Sequence, residues 1–185
     1  MPSNYLLCGL HVCCDIALPG LLPWPGDGAA DIAIRLGPVP DRLPGVAGKA
    51  LQVAPGGTLR VEIDDVASFL LEEGRSVTVA PAGGCTDRDL ALFLLGSIFG
   101  LLCHQRGLYP LHASTMAIGG RAFAFAGDSG AGKSTTAAAL LQLGHTLLSD
   151  DISVIDLNAG GHPRIAPAAD RSDAPALPLP GLSAL

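Results

Sequence analysis

The sequence has only two lysines, Lys49 and Lys133, and 11 basic residues in all against 17 acidic ones, a formal charge of −6. With no run of cations to follow a phosphate backbone, a nucleic-acid-binding role is disfavoured, and any phosphate handling has to be local. Long hydrophobic runs are missing too. The longest, Leu90 to Cys103 (LALFLLGSIFGLLC), falls short of the ~20 residues of a membrane span and reads as a buried helix, so no membrane partner is expected. Charged residues are 15% and hydrophobic ones 49% of the chain, with a mean hydropathy of +0.43, which excludes disorder of the whole. Met1-Pro2-Ser3-Asn4-Tyr5 lacks the basic region and cleavage site of a secretory signal, so a cytoplasmic location is expected. The five cysteines are odd in number and irregular in spacing, which argues against a disulfide framework. His11 with Cys13 and Cys14 imitates a metal cluster, but no second pair follows, and the cysteines read as small core residues.

From Tyr5 to about Pro81, short β-like runs alternate with Pro/Gly punctuation: YLLCGLHVCC, DIAIRLG, LQVAP, TLRVEI and SVTVAP. Residues 1–85 are therefore expected to form a small β-rich region. Pro19 to Gly28 is too proline-rich for a helix, and its Trp24 reads as a hydrophobic plug over that sheet. Thr86 with Asp89 resembles a capping box, opening an apolar helix that runs to Arg106 and stops at Gly107. Leu111 to Ile118 and Arg121 to Ala126, joined by Gly119-Gly120, carry a hairpin signature. Lys133 to Leu143 is helix-forming and ends at Gly144; beside that glycine, His145 reads as structural. Strands are expected on either side of Asp150-Asp151. Strand, loop, helix and strand make a βαβ unit, so residues 86–160 are expected to be α/β with some parallel pairing. Residues 161–185 are rich in Pro and Ala, without a strand pattern, and read as unfolded.

Gly127-Asp128-Ser129-Gly130-Ala131-Gly132-Lys133-Ser134 matches G-x-x-x-x-G-K-[ST] between an expected strand and an expected helix, the context this P-loop motif requires. The glycines let backbone N–H groups turn toward phosphate oxygens, and the helix start adds the positive end of its dipole. Lys133 is suited to the β- and γ-phosphates and the Ser134 hydroxyl to Mg²⁺, with Asp150 and Asp151 as the carboxylates that complete the site. Adjacent side chains on an extended chain point to opposite sides, so one carboxylate is expected to face the metal and the other an acceptor hydroxyl.

Together, LHAS, GDSGAGKST, GH and LLSDD resemble the catalytic domain of HPr kinase/phosphorylase and its shorter HPr-kinase-like relatives. The resemblance covers about residues 108 to 158. It includes the placing of His112 fifteen positions before Gly127 and of Asp150 seventeen after Lys133. It implies a P-loop fold of the HPr kinase and phosphoenolpyruvate carboxykinase type, using ATP and Mg²⁺ to phosphorylate a seryl hydroxyl of a small protein or peptide. It further implies Asp150, His112 and Lys133 as catalytic residues, the loop from Gly127 to Thr135 as the nucleotide site, and Ser134 with Asp151 as metal ligands. Thr135 stands where HPr kinases proper carry Glu, and the family's later strands and phosphate-binding arginine have no counterpart in the tail. The chain thus reads as a C-terminally truncated or frame-shifted form, or as a nucleotide-binding remnant. A P-loop small-molecule kinase or NTPase, and a non-catalytic ATP-binding regulatory protein, are the other readings, and a homo-oligomeric state is left open.

Overall fold

Short alternating apolar runs broken by Pro and Gly in the first half, and a glycine-rich loop between strand and helix in the second, give a mixed α/β chain with two sheets. The structure, a computed structural model, describes residues 2–157, 162–166 and 177–178. The chain divides into two compact units, one of residues up to Leu6 and from Leu10 to Arg106, the other of Leu7–Gly9 and residues from Gly107 onward. Among the described residues, no helix is long and apolar enough to cross a membrane.

The first unit holds all but the last residue of β1 (Ser3–Leu7), and β2 (Leu10–Cys14), β3 (Leu22–Pro23), β4 (Ile32–Leu36), β5 (Leu51–Val53), β6 (Leu59–Ile63), β7 (Ala67–Glu72) and β8 (Ser76–Pro81), in the sheet order β3-β1-β2-β4-β8-β7-β6-β5. Val12, Cys14, Ile32, Ile34, Val77 and Val79 recur at every second position and are buried, the pattern of strands with a core-facing side. β7 is not among the β-like runs read from sequence. Its Leu-Leu-Glu composition is not β-enriched, yet Phe69 and Leu71 are fully buried between β6 and β8. His11 and Cys14 lie on opposite faces of β2. His11 is occupied instead by Asn4 Oδ1, 2.9 Å from its Nε2, and by the Trp24 ring, stacked at 4.6 Å.

Capping at Thr86 is as expected: its hydroxyl accepts from Asp89 N, while its own N–H donates to the Asp89 carboxylate at 3.0 Å. The Thr86 side-chain and backbone bonds hold that carboxyl below its ordinary 3.8. The helix runs as α1 (Asp87–Phe93), a π-helical turn (Leu94–Ile98) and α2 (Phe99–Gln105). Its Leu90, Leu94, Ile98, Phe99 and Leu102 are buried. The division of the chain falls after this helix, at Arg106/Gly107, and not at the expected 85/86. Long-range bonds explain why. Gln105 accepts from Gly74 N–H at 3.0 Å and donates to Gly57 O at 2.7 Å, and Arg106 donates to Gly74 O at 2.9 Å, so the helix belongs with the first sheet.

The second unit contains β9 (Tyr109–Ile118), β10 (Arg121–Ala126), α3 (Lys133–Gln142), β11 (Thr146–Ser149), β12 (Ile152–Asp156), β13 (Arg164–Ala166) and β14 (Leu177–Pro178). The β9–β10 hairpin closes at Gly119-Gly120, both with positive φ, as a two-residue turn of this hand requires. α3 ends with Gly144 N–H donating to Leu141 O and His145 N–H to Leu140 O, a Schellman motif.

Two expectations change here. All strand pairs recorded for this unit are antiparallel, whereas the parallel pairs, β2 with β4 and β4 with β8, lie in the first unit. β10 and β11 do run in the same direction across α3, but β9 lies between them and pairs with both. In the stretch expected to be unfolded, Arg164–Ala166 pairs with β12 and buries Ile165 completely, so burial of one apolar residue overrides the proline-rich composition. Apart from His162, Pro163 and β14, which pairs with β13, the remainder of that stretch lies outside the described residues.

Candidate phosphoryl-transfer site

β10 delivers the chain into the glycine-rich loop at Gly127, and α3 starts at Lys133. Gly132 is the residue before the helix, with φ +88° and ψ 17°, a left-handed conformation that a side chain would strain. No side chain caps α3 at this end, so the N–H groups of its first turn are left for an anionic ligand. Lys133 folds back over the loop, its ammonium donating to Gly127 O at 2.8 Å and Asp128 O at 3.0 Å.

The acidic pair reaches the loop through strand register. Ser149 lies opposite Thr115 and Ile152 opposite His112, one continuous register after an irregularity at Leu148, so Asp150 and Asp151 face Ser114 and Ala113. Asp150 Oδ1 accepts from the Ser114 hydroxyl at 2.5 Å and from the Ser134 hydroxyl at 3.1 Å. Asp151 turns away. Its φ of +88° is rare for a residue with a side chain, and it is pinned by Ala113 N–H donating to Asp151 O at 3.2 Å and by His112 Nδ1, 3.1 Å from Asp151 Oδ1. His112 and Asp151 are exposed, with 57% and 79% of their side-chain surface open. Beneath the pair, Ser153 Oγ lies 2.6 Å from Ser149 Oγ, 2.7 Å from Thr115 Oγ1 and 3.2 Å from Ala113 O, a buried hydroxyl network with its polar groups satisfied.

One cleft of about 400 Å³ is lined by His112, Ser129, Gly130, Gly132, Lys133, Ser134, Thr135, Asp150 and Asp151. All the residues expected to be catalytic or metal-binding therefore line one cavity. Of the loop residues, Gly127 and Asp128 contribute carbonyls to Lys133, and Ala131 N–H closes a turn onto Asp128 O at 3.1 Å. The pair divides differently from the expectation, which set Ser134 with Asp151. The Ser134 hydroxyl bonds Asp150, and Asp151 belongs with His112. Ser114 carried no expected role, because the hydroxyl earns one only through its register with Asp150.

Among the described residues, no group of three or more His, Cys, Asp or Glu side chains is arranged to hold a metal ion. The oxygen donors of Ser134 and Asp150 nonetheless fit Mg²⁺, which takes one or two protein oxygens and completes its octahedron with phosphate and water. No family model, no curated protein and no solved structure matches this chain.

Proposed function

We propose that the second unit is a Mg-ATP-dependent kinase of the HPr-kinase-like type, transferring the γ-phosphate to a seryl hydroxyl of a small protein or peptide. The observation that carries this reading is the meeting, in one cleft, of a P-loop with an uncapped helix start and two carboxylates with different partners. Lys133 is bound only to loop carbonyls among its recorded bonds, so its ammonium can exchange them for phosphate oxygens without leaving a buried charge unpaired. Ser134 and Asp150 would hold Mg²⁺, which when bound with the nucleotide neutralises charge on the β- and γ-phosphate oxygens.

Asp151 and His112 are exposed, which leaves both open to an incoming acceptor hydroxyl. In the transfer, the seryl oxygen bonds to the γ-phosphorus as the bond to the β–γ bridging oxygen breaks and ADP leaves. The seryl proton passes to the Asp151 carboxylate, which His112 orients. Incubation with γ-labelled ATP and serine-containing acceptor proteins tests this. Label on serine that is lost with Lys133→Ala supports it; nucleotide binding with no transfer to any acceptor points to a binding protein instead.

A further inference from the structure

Asp150 lies at an exposed bend, next to a residue in left-handed conformation, where little packing selects a rotamer for its carboxylate. Ser114 supplies what packing does not. It sits inside β9, in register with Asp150, with none of its surface exposed. A hydroxyl has a single proton to donate, and that of Ser114 goes to Asp150 Oδ1. The same oxygen takes the Ser134 proton, so both lone pairs of Ser134 Oγ stay available to a cation. One end of this chain is fixed in the sheet and the other is in the first turn of α3.

We infer that Ser114 is a positioning residue for metal-assisted nucleotide binding: its buried hydroxyl fixes the Asp150 carboxylate, which in turn orients the Ser134 hydroxyl. The inference rests on the nucleotide-binding reading above. Ser153 provides the contrast, since it is equally buried on the neighbouring strand but its hydroxyl meets only other hydroxyls and a backbone carbonyl.

The test titrates fluorescent ADP against the full chain in excess Mg²⁺ and in EDTA, for wild type, Ser114→Ala and Ser153→Ala, with a thermal melt of each. Ser114→Ala should reduce the gain in ADP affinity conferred by Mg²⁺ roughly tenfold, the scale of one lost charge-assisted hydrogen bond, while affinity in EDTA stays within about twofold. Ser153→Ala should lower the melting temperature and leave the Mg²⁺ gain intact. If Ser114→Ala melts below the titration temperature, Ser114→Cys, slightly larger and with a weaker donor, should show the same loss. A Mg²⁺ gain that survives at position 114, or falls equally in Ser153→Ala, overturns the inference alone. Wild-type chain that binds ADP in neither condition overturns the nucleotide reading and the inference with it.

Discussion

Replacing Asp150 by Asn and by Ala separates what its carboxylate does for the fold from what it does for the metal. Asn retains an oxygen that can accept from both Ser114 and Ser134, so it exchanges charge-assisted bonds for neutral ones. The cost is about 1 kcal/mol, since the Ser134 end is exposed to water. Ala removes the acceptor. The Ser114 hydroxyl, wholly buried, is then unpaired, which costs about 1–3 kcal/mol. In a unit of this size, ~2 kcal/mol corresponds to roughly 10 °C in melting temperature. Both variants lose the negative charge that would face the cation, an interaction worth up to ~4 kcal/mol near a protein surface, so the Mg²⁺ gain in ADP affinity should fall by about 10²–10³ in each. Amide exchange along β9, which lies in the same unit as Asp150, reads the stability, beside labelled-ADP titrations. Equal stability of the Asn and Ala variants, or an unchanged Mg²⁺ gain in both, would refute the reasoning.

Asp151→Asn should behave differently, because its recorded side-chain partner is the exposed His112: stability should change by less than ~1 kcal/mol and ADP affinity little, while phosphoryl transfer falls by about 10²–10⁴ in a single-turnover assay. Gly132→Ala meets no neighbouring atom, so its penalty is the backbone strain at φ +88°, about 1–2 kcal/mol by denaturant titration, with weaker ADP binding as the loop shifts. Thr86→Ala should cost about 1 kcal/mol in the first unit at neutral pH without altering ADP affinity. Only the Thr86 bonds to the Asp89 carboxylate depend on its charge; that part is present above the ordinary carboxyl value of 3.8 and is lost as pH falls through the lowered value of folded Asp89, so the difference between wild type and variant should narrow in acid without vanishing, since the Thr86 hydroxyl still accepts from Asp89 N–H. Burial raises the Cys103 thiol from 9.0 to about 12 and the Cys14 thiol to about 11. Both should resist alkylation at pH 8 in the native chain, seen by mass spectrometry. Because the unfolded thiols ionise first, stability should decline as pH rises from 9 toward 12.

Local chemistry made part of this protein readable from sequence alone. The Thr86–Asp89 cap, the Gly119-Gly120 turn, the loop ending in Lys133-Ser134 and the helix stop at Gly144 each depend on bonds or dihedrals within a few residues, so the residue types suffice to specify them. Asp150 and Asp151 have different partners, as expected from sequence, but through a bend with Asp151 at φ +88° and not through the alternation of an extended strand. Which carboxylate meets Ser134 depended on the register of β11 and β12 against β9, set by the irregularity at Leu148, and nothing within LLSDD encodes it. Ser114 acquires its partner through that register alone, 36 residues along the chain. β7 escaped a composition-based reading because burial between two neighbours, and not intrinsic preference, holds Phe69 and Leu71 in a strand. The tertiary fold also decided that β10 and β11 are separated by β9, since a crossover helix fixes the direction of the strands it joins but not how many strands lie between them.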